Sequence, residues 1–330
     1  MRSTILFVPL TFRFVRAMSS GPSKRAAVAQ LTSTSNKLAN LLHVAHCAGL
    51  AKRQGACMLF LPECFGFIGS SGTETLANAE ILEDKNQQND HIITSLLEST
   101  VRTDALPTSP EQVDNASISL MHGLRIIAEA SNLWISGGGI HEYIDGERVY
   151  NTHVILNDKG ELIHKYRKMH LFDVSIPDRG IELKESNTTK AGTSIEVCDS
   201  PLGVLGLTTC YDVRFPEQYA ELVKLGAQIM LVPSAFTVPT GSAHWHILLR
   251  ARAIESQCHV LAAAQVGRHN GKRESYGHAL AVNPWGDIVA DAALESPTII
   301  ICEIDLEQMA DIRLRMPIQQ HREAAQQQEL

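Results

Sequence analysis

From residue 26 onward the apolar positions fall into short runs that switch between two periods. Residues 28–31 read as a strand, and a Ser/Thr cluster then caps a helix over 37–53 with Leu38, Leu41, Leu42 and Ala45 on one face. Residues 57–61 are wholly apolar, as expected of a strand buried on both faces. A helix over 118–130 and a strand over 133–136 follow. Residues 149–156 and 161–166 flank Asn157-Asp158-Lys159-Gly160, which has the composition of a hairpin turn. The second half repeats this order. A strand over 204–208 precedes a helix opened by Pro216 and closed by Gly226. Then come a strand over 229–232, a helix over 243–257, a strand over 260–264, and a hairpin of 279–282 and 287–290 around Asn283-Pro284-Trp285-Gly286. Strand, helix, strand, helix, strand, hairpin, given twice, predicts one α/β domain: two sheets stacked between helical layers, with an internal pseudo-twofold. The polar stretch 99–116, holding Pro107 and Pro110, reads as a surface insertion. The Gln-rich end from Gln319 reads as a poorly ordered tail.

The start of the chain differs in character. Glu63 is the first acidic residue, and Arg2, Arg13, Arg16, Lys24 and Arg25 precede it among Ser, Leu, Phe and Val. This pattern predicts a mitochondrial targeting leader over 1–25, a folded domain over 26–322 and a tail over 323–330. Met18 offers a second start, giving a cytoplasmic form. The net charge of −7 argues against nucleic acid or an acidic membrane as the main partner. No apolar stretch reaches the roughly 18–20 residues of a spanning helix. Seven cysteines without a CxxC pair suggest free thiols in a reducing compartment, most of them packed as small hydrophobes.

Three residues stand where chemistry is plausible. Glu63 lies just past the apolar strand, where ligand crevices of α/β sheets form; it is either a base or an ordinary ion-paired carboxylate. Cys210 takes the matching strand-end place in the second half, where a thiol can attack a carbonyl and following N–H groups can hold an oxyanion; packing is the alternative. Lys168 follows a hairpin, solvated or turned inward as fixed positive charge. Asp212 and Arg214 are expected to pair with each other or with Glu217, or Arg214 to bind a substrate carboxylate. Gly137-Gly138-Gly139 lacks a phosphate-binding signature and reads as a close backbone turn. His244 and His246, even with His141, His153 and His170, lack a metal-ligand spacing, and Trp245 suggests a packed helix start; no metal is expected.

Together these residues resemble a known family. Leu61-Pro62-Glu63, the stretch YRKMHLFD from Tyr166, and GLTTCYDVRFPE from Gly206 resemble, in that order, the three catalytic motifs of the nitrilase superfamily. VPSAF from Val232, AHWHILLRARAIESQC from Ala243 and SYGHALAVNPWGDIVA from Ser275 are similar to its Nit branch over about residues 26–322. Cys64-Phe65-Gly66-Phe67 departs from the branch pattern. The resemblance implies an αββα four-layer sandwich acting as a carbon–nitrogen hydrolase. It implies Glu63 as general base, Cys210 as nucleophile and Lys168 as oxyanion stabiliser, supported by Glu185 and the N–H of Tyr211. It also implies no cofactor, a small-molecule substrate and a homodimer. Within the branch it points to the amide of deaminated glutathione, with an ω-amidase acting on ketoglutaramate as the alternative. A non-catalytic interaction module on the same fold has no need of the three residues together. A 2-oxo acid substrate calls for a cation or backbone donors, and Arg214 and a helix start near His244 are the candidates.

Overall fold

The computed structural model describes residues 24–83, 90–103, 105–106, 114–179 and 181–328. Two sheets face each other. In the first, the parallel strands Lys24–Leu31, Ala56–Phe60 and Trp134–Ser136 lie side by side and continue into the antiparallel Val149–Leu156, Leu162–Arg167 and Ile140–Tyr143. In the second, Gly203–Leu207, Ile229–Leu231 and His259–Ala262 are parallel, and Glu196–Ser200 and the hairpin Leu280–Val282/Ile288–Asp291 flank them.

Strand alternation builds the layers. In Lys24–Leu31, Ala26 and Val28 point into the space between the sheets, where they meet Leu205, Leu207, Ile229 and Leu231. Ala27, Ala29 and Leu31 point outward against Leu38, Leu41, Leu42 and Ala45 of the helix Lys37–Arg53. Helices His91–Arg102 and Leu120–Ser131 complete that outer layer, while Pro216–Lys224 and Val238–Ser256 cover the other sheet. The result is the expected four-layer αββα sandwich. The run 57–61 is indeed a central strand, with Met58, Leu59 and Phe60 buried.

Several expectations need correction. Residues 99–102 are not insertion but the last turn of the amphipathic helix His91–Arg102, with Thr100 and Val101 buried. Residue 104 and residues 107–113 of that stretch lie outside the described residues. Asn115 then returns to the domain, donating to the Ser35 carbonyl and accepting from the Lys37 N–H. The helix placed over 243–257 begins five residues earlier, at Val238, with Pro239 in its first turn. The Gln-rich end forms a helix, Ile318–Gln328. Of the leader, residues 1–23 lie outside the described residues; Lys24 and Arg25 open the first strand. Cys57 is only half-buried, the other six cysteines are buried, and all seven are free.

Candidate active site

The site forms where strands of both sheets end. Leu61 follows Ala56–Phe60 and still donates its N–H to the Ser136 carbonyl (2.9 Å), which fixes the exit of the chain toward Glu63. The glycine run packs here: Gly138 has φ +55°, and a Cβ on it would collide with the carbonyl oxygens of Leu61 and Pro62. The close backbone turn expected of this run is present. Glu63 follows the second parallel strand of its sheet, Ala56–Phe60, whereas Cys210 follows the first parallel strand of its own, Gly203–Leu207, so the two positions do not correspond element by element. Cys210 has φ +52° and donates its N–H to the Pro233 carbonyl (2.9 Å).

Glu63, Lys168 and Cys210 converge, and all three are buried, at 4%, 2% and 8% exposure. Lys168 Nζ lies 3.0 Å from Glu63 Oε1, and 3.1 and 2.8 Å from the Glu185 oxygens. Asn151 Nδ2 donates to the same Glu63 oxygen (2.9 Å), and the Ala235 N–H donates to the other (3.0 Å). Asn151 and Lys168 are neighbours across one hairpin, where the Lys168 N–H meets the Asn151 carbonyl (2.9 Å). Glu185 is held from behind by the Phe172 N–H (2.7 Å).

These contacts decide the charge states. Burial by itself pushes the Glu63 carboxyl up, but Lys168, the Cys210 thiol and Arg273 outweigh it and hold it below its ordinary value. Burial would push the Lys168 ammonium down, but Glu185 and Glu63 hold it well above its ordinary value. Burial and the Glu63 charge push the Cys210 thiol well up, against the pull of Lys168. A neutral thiol therefore faces an ionised carboxylate and a fixed ammonium. This arrangement can move a proton from sulfur to carboxylate and stabilise negative charge beside the lysine.

A second hub aligns these parts. Asp212, fully buried, accepts from the Tyr166 hydroxyl (2.6 Å), the Thr209 N–H (2.8 Å) and the His170 N–H (3.0 Å), with His170 Nδ1 at 2.7 Å. It joins the segment carrying Lys168 to the turn carrying Cys210. The expected pairing of Asp212 with Arg214 or Glu217 is therefore replaced by Tyr166 and His170. Arg214 instead lies over the Phe236 and Tyr211 rings and donates to His244 Nδ1 (3.4 Å). Tyr211, next after Cys210, packs its ring edge-on to Phe172 and Phe215.

The two substrate candidates thus meet, but the reason given for His244 fails. It sits beyond the first turn of Val238–Ser256, where the field of a helix terminus has faded. Trp245 is buried within that helix and donates to the His278 carbonyl (2.7 Å), and His244 and His246 lie inside the helix, not at its start, where Thr237 is the N-cap residue. His141, His153 and His170 each have their own neighbour: Cys64 Sγ at 3.8 Å, Ser136 Oγ at 2.7 Å and Asp212.

Sequence reading passed over Asn151, Tyr166, the Ala235 N–H and Arg273. Arg273 lies at the tip of the hairpin Ala264–Arg268/Glu274–Tyr276, and its charge bears on Glu63, Cys64 and His141. Among the described residues it has no ion-pair partner. Gln265, in the same hairpin, donates to the Glu63 carbonyl (3.0 Å) and ties that hairpin to the site.

A buried Cys–Glu–Lys set at the strand ends of an αββα sandwich agrees with a family comparison: the model described as "Carbon-nitrogen hydrolase" matches residues 25–314. The chain belongs to the carbon-nitrogen hydrolase family. Among relatives of this carbon-nitrogen hydrolase, the Dictyostelium discoideum protein named deaminated glutathione amidase is 39% identical over 91% of this chain and 94% of its own length. The Drosophila melanogaster nitrilase and fragile histidine triad fusion protein NitFhit is 42% identical over 91% of this chain; the match spans 57% of that longer protein. The crystal structure of Saccharomyces cerevisiae Nit3, described as a member of branch 10 of the nitrilase superfamily, superposes with a TM-score of 0.70 at 29% identity, covering 90% of this chain and 95% of that one.

The geometry orders the effects of substitution. Cys210→Ala should leave less than about a hundredth of the amide hydrolysis of the parent chain, with the fold intact by circular dichroism. Lys168→Met and Glu63→Gln should each lower kcat by roughly 100-fold or more. Glu185→Gln should lower it less, because what Glu185 offers the site is its hold on Lys168 Nζ. Near-parental kcat in Lys168→Met would remove the lysine from the reaction.

Proposed function

We propose that this chain is an amidase that hydrolyses deaminated glutathione to 2-oxoglutarate and cysteinylglycine. The observation that carries the reading is a buried thiol, carboxylate and ammonium in contact, in a chain similar over nearly its whole length to a relative named for that activity. The reaction runs in two halves. Glu63 takes the thiol proton as Cys210 Sγ attacks the amide carbonyl. Lys168 Nζ and the Tyr211 N–H stabilise the oxyanion. The C–N bond breaks, the departing amine takes the proton from Glu63, and a thioester remains. Glu63 then deprotonates a water that attacks the thioester; the C–S bond breaks and the sulfur regains its proton. No step calls on a cofactor.

Deaminated glutathione carries a carboxylate at each end, and two cations flank the site. We assign Arg214, with His244 beside it, to the 2-oxo acid end and Arg273 to the glycine end. Intact glutathione has an α-ammonium in place of the oxo group, which this pocket should reject. Deaminated glutathione is therefore expected to exceed both glutathione and ketoglutaramate in kcat/KM. Arg273→Ala should lower kcat/KM for deaminated glutathione more than for ketoglutaramate, which lacks the glycine carboxylate. Preference of the parent chain for ketoglutaramate would replace this reading with an ω-amidase.

We also propose a homodimer. Ile247 and Ile254 of helix Val238–Ser256 are exposed, as are Trp285, Ile288 and Val289 of the hairpin that packs beside that helix through Arg250 Nε and the Gly286 carbonyl (2.7 Å). An apolar face of this kind favours pairing. The double variant Ile247→Glu/Trp285→Glu should run as a monomer by light scattering where the parent runs as a dimer; a monomeric parent would refute the assignment.

The acid-free, Arg-rich start supports delivery to mitochondria, with Met18 initiating a cytoplasmic form. A reporter fused to residues 1–30 should reach mitochondria, and diffuse signal would refute that proposal.

A further inference from the structure

Away from Cys210, the described residues bring one group of metal-binding side chains together: His246, His278 and Asp291, whose ligand atoms all lie within 4.8 Å of one another. They come from three places in the fold. His246 is on helix Val238–Ser256, His278 precedes the strand Leu280–Val282, and Asp291 ends the strand Ile288–Asp291. His246 Nε2 lies 3.4 Å from Asp291 Oδ2, and His278 Nδ1 lies 3.1 Å from each carboxylate oxygen. A tetrahedral ion with bonds of about 2.0–2.1 Å holds its ligand atoms roughly 3.3 Å apart. Two of the three edges therefore already have the required spacing.

We propose that His246, His278 and Asp291 form a binding site for a divalent transition-metal ion of the zinc class, separate from the Glu63–Lys168–Cys210 site.

The donor set argues for this class: two imidazoles and one carboxylate suit zinc and its neighbours, whereas magnesium and calcium favour all-oxygen sites. The surroundings hold the donors in place. The Ala293 N–H donates to Asp291 Oδ1 (2.7 Å), the outer support that orients a ligating carboxylate. The His278 ring stacks on Tyr276 at 4.7 Å, its backbone is held at φ +58°, and its carbonyl accepts from Trp245 Nε1. The three side chains are 31%, 22% and 32% exposed, so water can reach the ion and complete its shell.

Sequence spacing could not reveal the set, because His246 and Asp291 are 45 residues apart. A bound ion would pin helix Val238–Ser256 to the hairpin Leu280–Val282/Ile288–Asp291. That helix also carries His244 against Arg214, so the ion would stiffen one wall of the substrate side without touching the reacting atoms.

The test uses the untagged full chain with Cys210→Ser, so that the buried thiol at the catalytic centre cannot capture the metal, stripped with chelator and titrated with zinc chloride. Calorimetry should give one zinc per chain, and the melting temperature should rise with zinc. His246→Ala, at a half-exposed helix position, should melt like its parent without zinc. It should also bind zinc at least tenfold more weakly and lose the thermal rise. Asp291→Asn, of the same shape, should behave likewise. No binding by the parent, or unchanged stoichiometry and affinity in both variants, would overturn the site and leave an ordinary hydrogen-bonded His–Asp–His cluster.

Discussion

The Lys168 ammonium, buried between two carboxylates, is the interaction on which the site depends. An isolated charge at that depth would cost several kcal/mol, and pairing recovers this only when the partners' remaining lone pairs are filled. They are filled by Asn151, by the Ala235 N–H and by the Phe172 N–H, which arrive from different segments. Each donor constrains a strand end. The loops around the site thus have little freedom once Lys168 is inside. Asp212 extends the same logic, since one buried carboxylate fixes the spacing between the lysine segment and the cysteine turn.

The apolar rhythm made the layers legible. The runs at 28–31, 57–61 and 229–232 are strands because β-prone and small residues there can bury both faces, and the helix over 37–53 needed only its own periodicity. The start of helix Val238–Ser256 was not legible, because Val238-Pro239-Thr240-Gly241 has the composition of a turn. Pro239 is instead tolerated in the first turn, and Gly241 is needed because a Cβ would strike the Tyr276 ring. Helix His91–Arg102 was hidden by the polar, proline-containing stretch after it, although Ile93, Leu97 and Val101 keep helical spacing. The Ile318–Gln328 helix was hidden because its polar sequence gives no periodic signal.

At the site the division is between residue type and partner. Glu63, Lys168 and Cys210 could be picked out by their places after strands and hairpins and by the motifs around them. Their neighbours could not. Tyr166 reaches Asp212 across 46 residues and Asn151 reaches Glu63 across 88, and no local pattern encodes such distances. Charge was legible only as a count. The direction in which each group is held follows from which opposite charge it is buried against, and that is a property of the packed interior.

The left-handed backbone at Cys210 carries one further consequence. A residue with a Cβ at φ +52° costs roughly 1 kcal/mol relative to glycine. The same side chain is small and buried in the core between the sheets. A chain optimised for folding alone would carry glycine at 210. Stability and the proposed reactivity therefore pull in opposite directions at one residue. On the mechanism proposed above, glycine at that position would leave a sounder fold with no sulfur to face Glu63.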